Sequence, residues 1–210
     1  VSRMPGLIGK KVGMTQIFTE SGEAVGVTVV EAGPCPVLQV KTAERDGYTS
    51  LQLGFGRKKD RRVKRPEAGH AARAGLDYVP RVLAEFEPEE GEQYEAGQVL
   101  TVEMFEPGQR VKISGRTKGR GFAGVVKRHG FGGGRGSHGG SAILRAPGSI
   151  GPGTDPSRVI KGRKMAGQMG DKQRTVLNLR IEKIDLEKNL LLVRGAVPGP
   201  RNNILLIRAT

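Results

Sequence analysis

Apolar and polar residues alternate with a period of two along much of the chain, in short runs separated by turn-forming residues. Successive side chains of an extended backbone point to opposite faces. On that basis Val25-Gly26-Val27-Thr28-Val29, Val37-Leu38-Gln39-Val40 and Leu51-Gln52-Leu53-Gly54-Phe55 each predict a strand. The alternation recurs from Val99 to Phe105 and from Val176 through Leu186, where Leu177, Leu179 and Ile181 are expected to share one face. Leu190-Leu191-Leu192-Val193 and Ile204-Leu205-Leu206-Ile207 are continuously apolar and predict fully buried strands. Turns are expected at Glu20-Ser21-Gly22-Glu23, Arg45-Asp46-Gly47-Tyr48, Pro107-Gly108 and Pro198-Gly199-Pro200. Many short strands so punctuated predict a mainly β fold whose sheet is closed, or nearly closed, into a barrel. Two short helices are expected, over Glu67–Ala74 with Gly75 as its stop and over Arg81–Phe86. The acid-rich run from Glu85 to Glu95 reads as a solvated loop, and no internal repeat is present.

One stretch breaks this pattern. From Arg116 to Lys172 the apolar residues are few and scattered, while Gly and Pro crowd into Gly130–Gly140 and Pro147-Gly148-Ser149-Ile150-Gly151-Pro152-Gly153. Such a segment lacks the apolar area that would offset the entropy of ordering it alone. It is therefore either a disordered basic linker or a segment ordered by a large polyanionic partner. Strands resume at Thr175, which makes the stretch a loop thrown out of a folded body. The expected organisation is a body over 1–109, a basic glycine-rich extension over 110–174, and closing strands over 175–210.

Charge sharpens that division. The 210 residues carry a net charge of +14. Between Arg110 and Thr175, 66 residues hold 15 Lys and Arg against Asp155 and Asp171, and 17 of the 33 glycines. The remainder holds 20 basic and 19 acidic residues and is nearly neutral. A basic balance of this size implies a nucleic acid, an anionic membrane surface or an acidic protein as partner. Aromatics are 4% of the chain and Trp is absent, so the core must be built from Val, Leu and Ile. Cys35 is the one cysteine, which excludes an intramolecular disulfide and a thiolate metal cluster. Within Gly33-Pro34-Cys35-Pro36 it reads as a small buried thiol. The opening Val1-Ser2-Arg3-Met4-Pro5-Gly6 leads into strand-like sequence, so neither a signal peptide nor a membrane span is expected, and the compartment is expected to be the cytosol.

Candidate catalytic chemistry fails on context. Gly119-Arg120-Gly121-Phe122-Ala123-Gly124 matches G-x-G-x-x-G, yet a dinucleotide site needs a buried strand before it, a helix after it and an acid about 20 residues on. Val111-Lys112-Ile113 is short and charged, the glycines from Gly130 would end a following helix, and Ser141–Arg145 supplies no acid. His70, His129 and His138 lack metal-ligand spacing, and Ser137 beside His138 does not give a nucleophile–base pair. No enzyme activity, cofactor or metal is expected.

RNA binding does have candidate residues. Lys and Arg neutralise phosphates, Arg stacks on exposed bases and clamps phosphates in bidentate fashion, and Gly lets the backbone approach closely. In the extension these are Arg116, Lys118, Arg120, Lys127, Arg128, His129, Arg135, His138, Arg145, Arg158, Lys161, Arg163 and Lys164. A second cluster, Arg57, Lys58, Lys59, Arg61, Arg62, Lys64 and Arg65, forms a candidate phosphate patch on the body.

The run from Gly115 to Arg128, with Gly115-Arg116-Thr117-Lys118-Gly119-Arg120-Gly121-Phe122-Ala123-Gly124 at its head, resembles the signature of the universal large-subunit ribosomal protein three family. Ser137-His138-Gly139, Pro147–Gly151, Lys161-Gly162-Arg163-Lys164-Met165-Ala166-Gly167 and Leu190–Gly199 extend the resemblance. Gly9–Thr15 and Ala32–Pro36 look like its bacterial branch. The resemblance implies a translation-factor-like β-barrel body on the surface of the large ribosomal subunit. It implies an extension that penetrates the large-subunit ribosomal RNA toward the peptidyl transferase centre, an early role in assembly, and neighbours among other large-subunit proteins. The catalyst there is RNA, so the protein would support its geometry. The chain departs from the family pattern in three places: His129-Gly130 stands where Trp-Asn is usual, Pro152 stands where many bacterial members carry a methylated Gln, and Lys112 replaces a common Asp or Asn. Composition by itself also fits a free-standing RNA-binding protein or RNA chaperone.

Overall fold

A computed structural model describes residues 6–88 and 93–210. Among these residues twelve strands and three α-helices follow one another as β1 (Leu7–Phe18), β2 (Ala24–Ala32), β3 (Cys35–Lys41), α1 (Ala43–Asp46), β4 (Ser50–Arg57), α2 (Arg65–Arg73), β5 (Pro80–Phe86), β6 (Val99–Leu100), β7 (Arg110–Arg116), β8 (Phe122–Ala123), α3 (Val125–His129), β9 (Gly167–Gln168), β10 (Gln173–Asp185), β11 (Leu190–Arg194) and β12 (Ile204–Ala209). The chain divides into two compact units, one running to Thr117 and resuming at Gln173, the other spanning Lys118–Lys172.

The first unit contains a closed antiparallel barrel in the order β1-β12-β7-β10-β11-β2. Pairing the first strand with the last closes it, with Leu7 opposite Ile207 and Ile8 opposite Leu206. Closure removes the exposed edges that an open sheet would present. Alternation supplies the filling: Leu191, Val193, Leu205 and Ile207 are buried, while the intervening Leu192 and Leu206 are half-buried in the wall. The two continuously apolar runs are therefore barrel strands with one fully buried face, not strands buried on both. A second sheet, β5-β4-β3-β6, lies in the same unit. Its Val37, Leu51, Leu53 and Phe86 belong to one hydrophobic cluster with Leu7, Ile113, Ile181 and Leu205 of the barrel. Shared burial of this kind makes barrel and sheet a single cooperative body.

Cys35 lies at the start of β3 with none of its surface exposed, and its thiol donates to the carbonyl of Ile8 at 3.3 Å. Burial pushes that thiol up to about 12, so it stays protonated.

Three sequence expectations give way to tertiary pairing. Arg81–Phe86 is not helical; it forms most of β5, with Leu51 opposite Phe86, Leu53 opposite Ala84 and Phe55 opposite Val82. The exposed Leu83 blurred a period-two pattern that buries Pro80 and Phe86. Val99–Phe105 is a strand only at Val99–Leu100, after which a 3₁₀ turn over Val102–Met104 carries both Val102 and Phe105 into the core. Leu177 does not share the face of Ile181: Asn178 has a φ of 56° and the register shifts between Val176 and Leu179, leaving Leu177 exposed while Ile181 is fully buried. One bulge inverts the alternation. The helix expected over Glu67–Ala74 is α2, begun by Pro66 in its first turn. Of the expected loop over Glu85–Glu95, Glu85 and Phe86 belong to β5, and residues 89–92 lie outside the described residues, as do Val1–Pro5. Among the described residues no helix is long and apolar enough to cross a membrane.

Candidate nucleic-acid interface

The body's basic cluster is built around a corner. β4 ends at Arg57, a 3₁₀ turn spans Asp60–Arg62, and α2 begins at Arg65. The Glu67 carboxylate organises this corner by accepting from the Lys58 ammonium at 2.7 Å through both oxygens and from the Lys64 backbone N–H at 3.0 Å. The hydrogen bonds from Lys58 hold the Glu67 carboxyl below its usual range. Arg57 lies 3.6 Å from Asp60. Lys58 thus positions the corner, while Lys59, Arg61, Arg62, Lys64 and Arg65 present their charges to solvent.

The second unit begins with an antiparallel ladder between its two ends. Arg120 N–H donates to the Met169 carbonyl and Met169 N–H to that of Gly121, both at 2.9 Å, and β8 pairs with β9 through Phe122–Gln168 and Ala123–Gly167. Gly170 permits the closure: its φ is +71°, and a Cβ there would overlap the Lys118 carbonyl oxygen. α3 follows and stops at Gly130, whose φ of 74° is the left-handed helix end that glycine allows. The Arg128 guanidinium donates to the Met165 carbonyl at 2.6 Å, and Nε2 of His129 donates to the same oxygen at 3.0 Å. These two bonds tie the outgoing and returning segments together. Beyond them, Gly134 N–H donates to the Leu144 carbonyl at 3.0 Å.

Interior material in this unit is sparse. Ala123 and Val125 are its buried apolar side chains among the described residues, whereas Phe122, Ile143, Leu144, Ile150, Val159, Ile160 and Met165 are exposed. It carries 11 Lys and Arg against Asp155 and Asp171. Of the residues singled out from sequence, Arg116 ends β7 in the barrel, and Lys118 and Arg120 lie on the ladder. Lys127, Arg128 and His129 lie on α3, Arg135, His138 and Arg145 on the glycine-rich loop, and Arg158, Lys161, Arg163 and Lys164 on the return. The Arg163 guanidinium donates to the Ser149 carbonyl. His138 is held at a φ of 56°. Sequence reasoning passed over Lys172 and the exposed apolar side chains; the charge count contained the first, and no one-dimensional pattern marks the second.

No cluster of His, Cys, Asp or Glu suited to a metal ion occurs among the described residues. A cleft of about 660 Å³ lined by Phe131, Gly132, Gly133, Gly134, Ile143, Ala146, Pro147 and Gly148 carries no ionisable or nucleophilic side chain. A closed barrel, an exposed cationic corner and a cationic second unit with little buried apolar material define a basic β-barrel protein.

Comparison with known proteins narrows this class to one family. Residues 84–190 match the family model for ribosomal protein L3. The large ribosomal subunit protein uL3 of Syntrophus aciditrophicus is 52% identical over 202 residues, covering 96% of this chain and 92% of the relative. Its counterpart in Herpetosiphon aurantiacus is 50% identical over 96% of this chain and 94% of its own length. That of Chlorobaculum tepidum is 50% identical over 99% of both chains. The chain belongs to the ribosomal protein L3 family.

Proposed function

We propose that the chain is a structural constituent of the large ribosomal subunit in the bacterial cytoplasm, where it binds large-subunit ribosomal RNA beside neighbouring ribosomal proteins and performs no catalysis. Its extension, proposed from sequence as 110–174 with the compact unit Lys118–Lys172 at its heart, buttresses the RNA of the peptidyl transferase region and supports assembly. The observation that carries this reading is a unit of 55 residues with 11 basic side chains and two acids, in which Ala123 and Val125 are the buried apolar side chains among the described residues. A unit of that composition gains from a polyanion what it lacks in core: phosphate neutralisation, and cover for its exposed apolar side chains.

Within it, Lys118, Arg120, Lys127, Arg135, Arg145, Arg158, Lys161 and Lys164 supply phosphate contacts, and Arg128, His129 and Arg163 hold the fold of the unit while facing the RNA. His138 of the same unit adds a further contact, and Arg116, at the end of β7 in the barrel, supplies one from the body. The corner bearing Lys59, Arg61, Arg62, Lys64 and Arg65 forms a second contact, set in place by Arg57 and Lys58.

Sedimentation tests the assignment. The protein should travel with large subunits and remain there through a moderate-salt wash. Removal of 128–158 should leave a soluble, cooperatively unfolding body that no longer completes assembly. Absence from mature large subunits, with the protein confined to the free pool, would point to a free-standing RNA chaperone instead.

A further inference from the structure

One aromatic ring of the second unit is presented almost wholly to solvent. Phe122 is 80% exposed, although β8 holds its backbone in register opposite Gln168. Its neighbour Ala123 is buried, so the ladder turns the small residue inward and the large ring outward. Gly121 and Gly124 flank it, and a Cβ at either position would meet nothing within 4 Å. The backbone is therefore uncrowded at those two positions. The other phenylalanine of the unit, Phe131, is half-buried with its ring 6.0 Å from that of His129.

An exposed phenyl ring on a fixed backbone is an unusual use of a surface strand position. It is explained when the partner is itself a flat, apolar-faced group brought in by opposite charge. Lys118 and Arg120, both exposed, precede the ring on the same ladder, and the unit as a whole carries 11 basic residues against two acids. That balance favours a polyanion over a protein surface, and the polyanion with flat faces is nucleic acid.

We propose that Phe122 is a nucleobase-stacking site, where an unpaired RNA base lies against the ring while Lys118 and Arg120 take the adjoining phosphates. The proposal rests on the RNA-binding reading above and adds to it a contact that reads base rather than charge. Stacking differs from phosphate neutralisation in its salt dependence. Loss of the ring lowers affinity at every salt concentration, whereas loss of a phosphate-bound cation flattens the slope.

The chain has no tryptophan, so Phe122→Trp installs a single fluorescent reporter at the site in the full-length protein. The probe is deproteinised bacterial large-subunit ribosomal RNA, with inorganic polyphosphate as a polyanion without bases. The expected result is quenching of the Trp emission by the RNA, with polyphosphate binding but leaving the emission unchanged. Phe122→Leu should bind the RNA roughly 5- to 150-fold more weakly with an unchanged salt slope, the range set by base–aromatic stacking. Arg120→Gln should instead lower the slope by about one.

Full affinity in Phe122→Leu together with unquenched Trp emission would overturn the stacking site while leaving RNA binding intact. So would a blue shift produced by large-subunit proteins and not by the RNA, which would assign the ring to a protein contact. Failure of the unsubstituted chain to bind the RNA at all would remove the RNA-binding reading, and this proposal with it.

Discussion

The ammonium of Lys11, on the first strand of the barrel, donates to the carbonyl of Val197 at 2.9 Å across a separation of 186 residues. It also reaches the Gly199 carbonyl at 3.1 Å, and the Lys11 side chain is almost wholly buried. A buried ammonium is tolerated where oxygens replace its water. Here those oxygens come from the turn between β11 and β12, so one side chain fastens the closing turn to the opening strand.

Replacing Lys11 by Met keeps the stem and leaves two carbonyls without that donor. We expect a loss of about 1–3 kcal/mol in unfolding free energy, the usual cost of orphaned buried polar groups. Lys10→Met removes an exposed pair with Glu31 at 2.7 Å and should cost less than about 1 kcal/mol. Urea titration of the two variants gives the comparison; equal shifts would show that the Lys11 contacts contribute nothing beyond a surface charge.

Gly170→Ala should open the ladder of the second unit while sparing the barrel, because the left-handed backbone and the Lys118 carbonyl both exclude a Cβ there. Hydrogen exchange reads this residue by residue. Protection should fall at the Arg120 and Met169 amides, which donate across the ladder, and persist at the barrel amides of Ile113 and Ile207. Unchanged protection at Arg120 would mean that the ladder adjusts without cost.

Cys35 should resist thiol reagents in the folded protein and react only as the body unfolds. Its burial removes access, and a thiol pushed up to about 12 supplies almost no thiolate at neutral pH. The labelling rate should follow the urea unfolding curve. Rapid labelling under native conditions would contradict both the burial and the protonation state.

On the second sheet, Glu85 accepts from Lys41 at 2.7 Å and from the Tyr48 hydroxyl at 2.8 Å. The Lys41 hydrogen bond, followed by that of Tyr48, holds its carboxyl below the usual 4.5. A carboxyl whose folded value lies below its unfolded one binds fewer protons in the fold. Its stabilising contribution is then complete above 4.5 and is lost as the pH falls through the lowered value. The difference in urea midpoint between the unsubstituted chain and Glu85→Gln should therefore be largest at neutral pH and vanish on acidification. A difference that grows below 4.5 would reverse the sign of the argument.

The sequence by itself determined the class of fold and the division of charge. Period-two alternation at Val25–Val29 and Leu51–Phe55 is a local signal, because in an extended strand the burial of a side chain follows from its parity. The excess of Lys and Arg between Arg110 and Thr175 is a sum and needs no coordinates. Tertiary structure decided what depends on partners distant in the chain. Arg81–Phe86 became a strand because β4 offered a ladder, and Leu177 turned outward because a bulge at Asn178 changed parity. Lys58, alike in sequence to Lys59, was drawn into an ion pair by Glu67. Phe122 emerged as an exposed ring in a unit whose buried apolar side chains, among the described residues, are Ala123 and Val125. Parity and charge are written residue by residue, whereas a pairing partner or an absent core is a property of segments that only folding brings together.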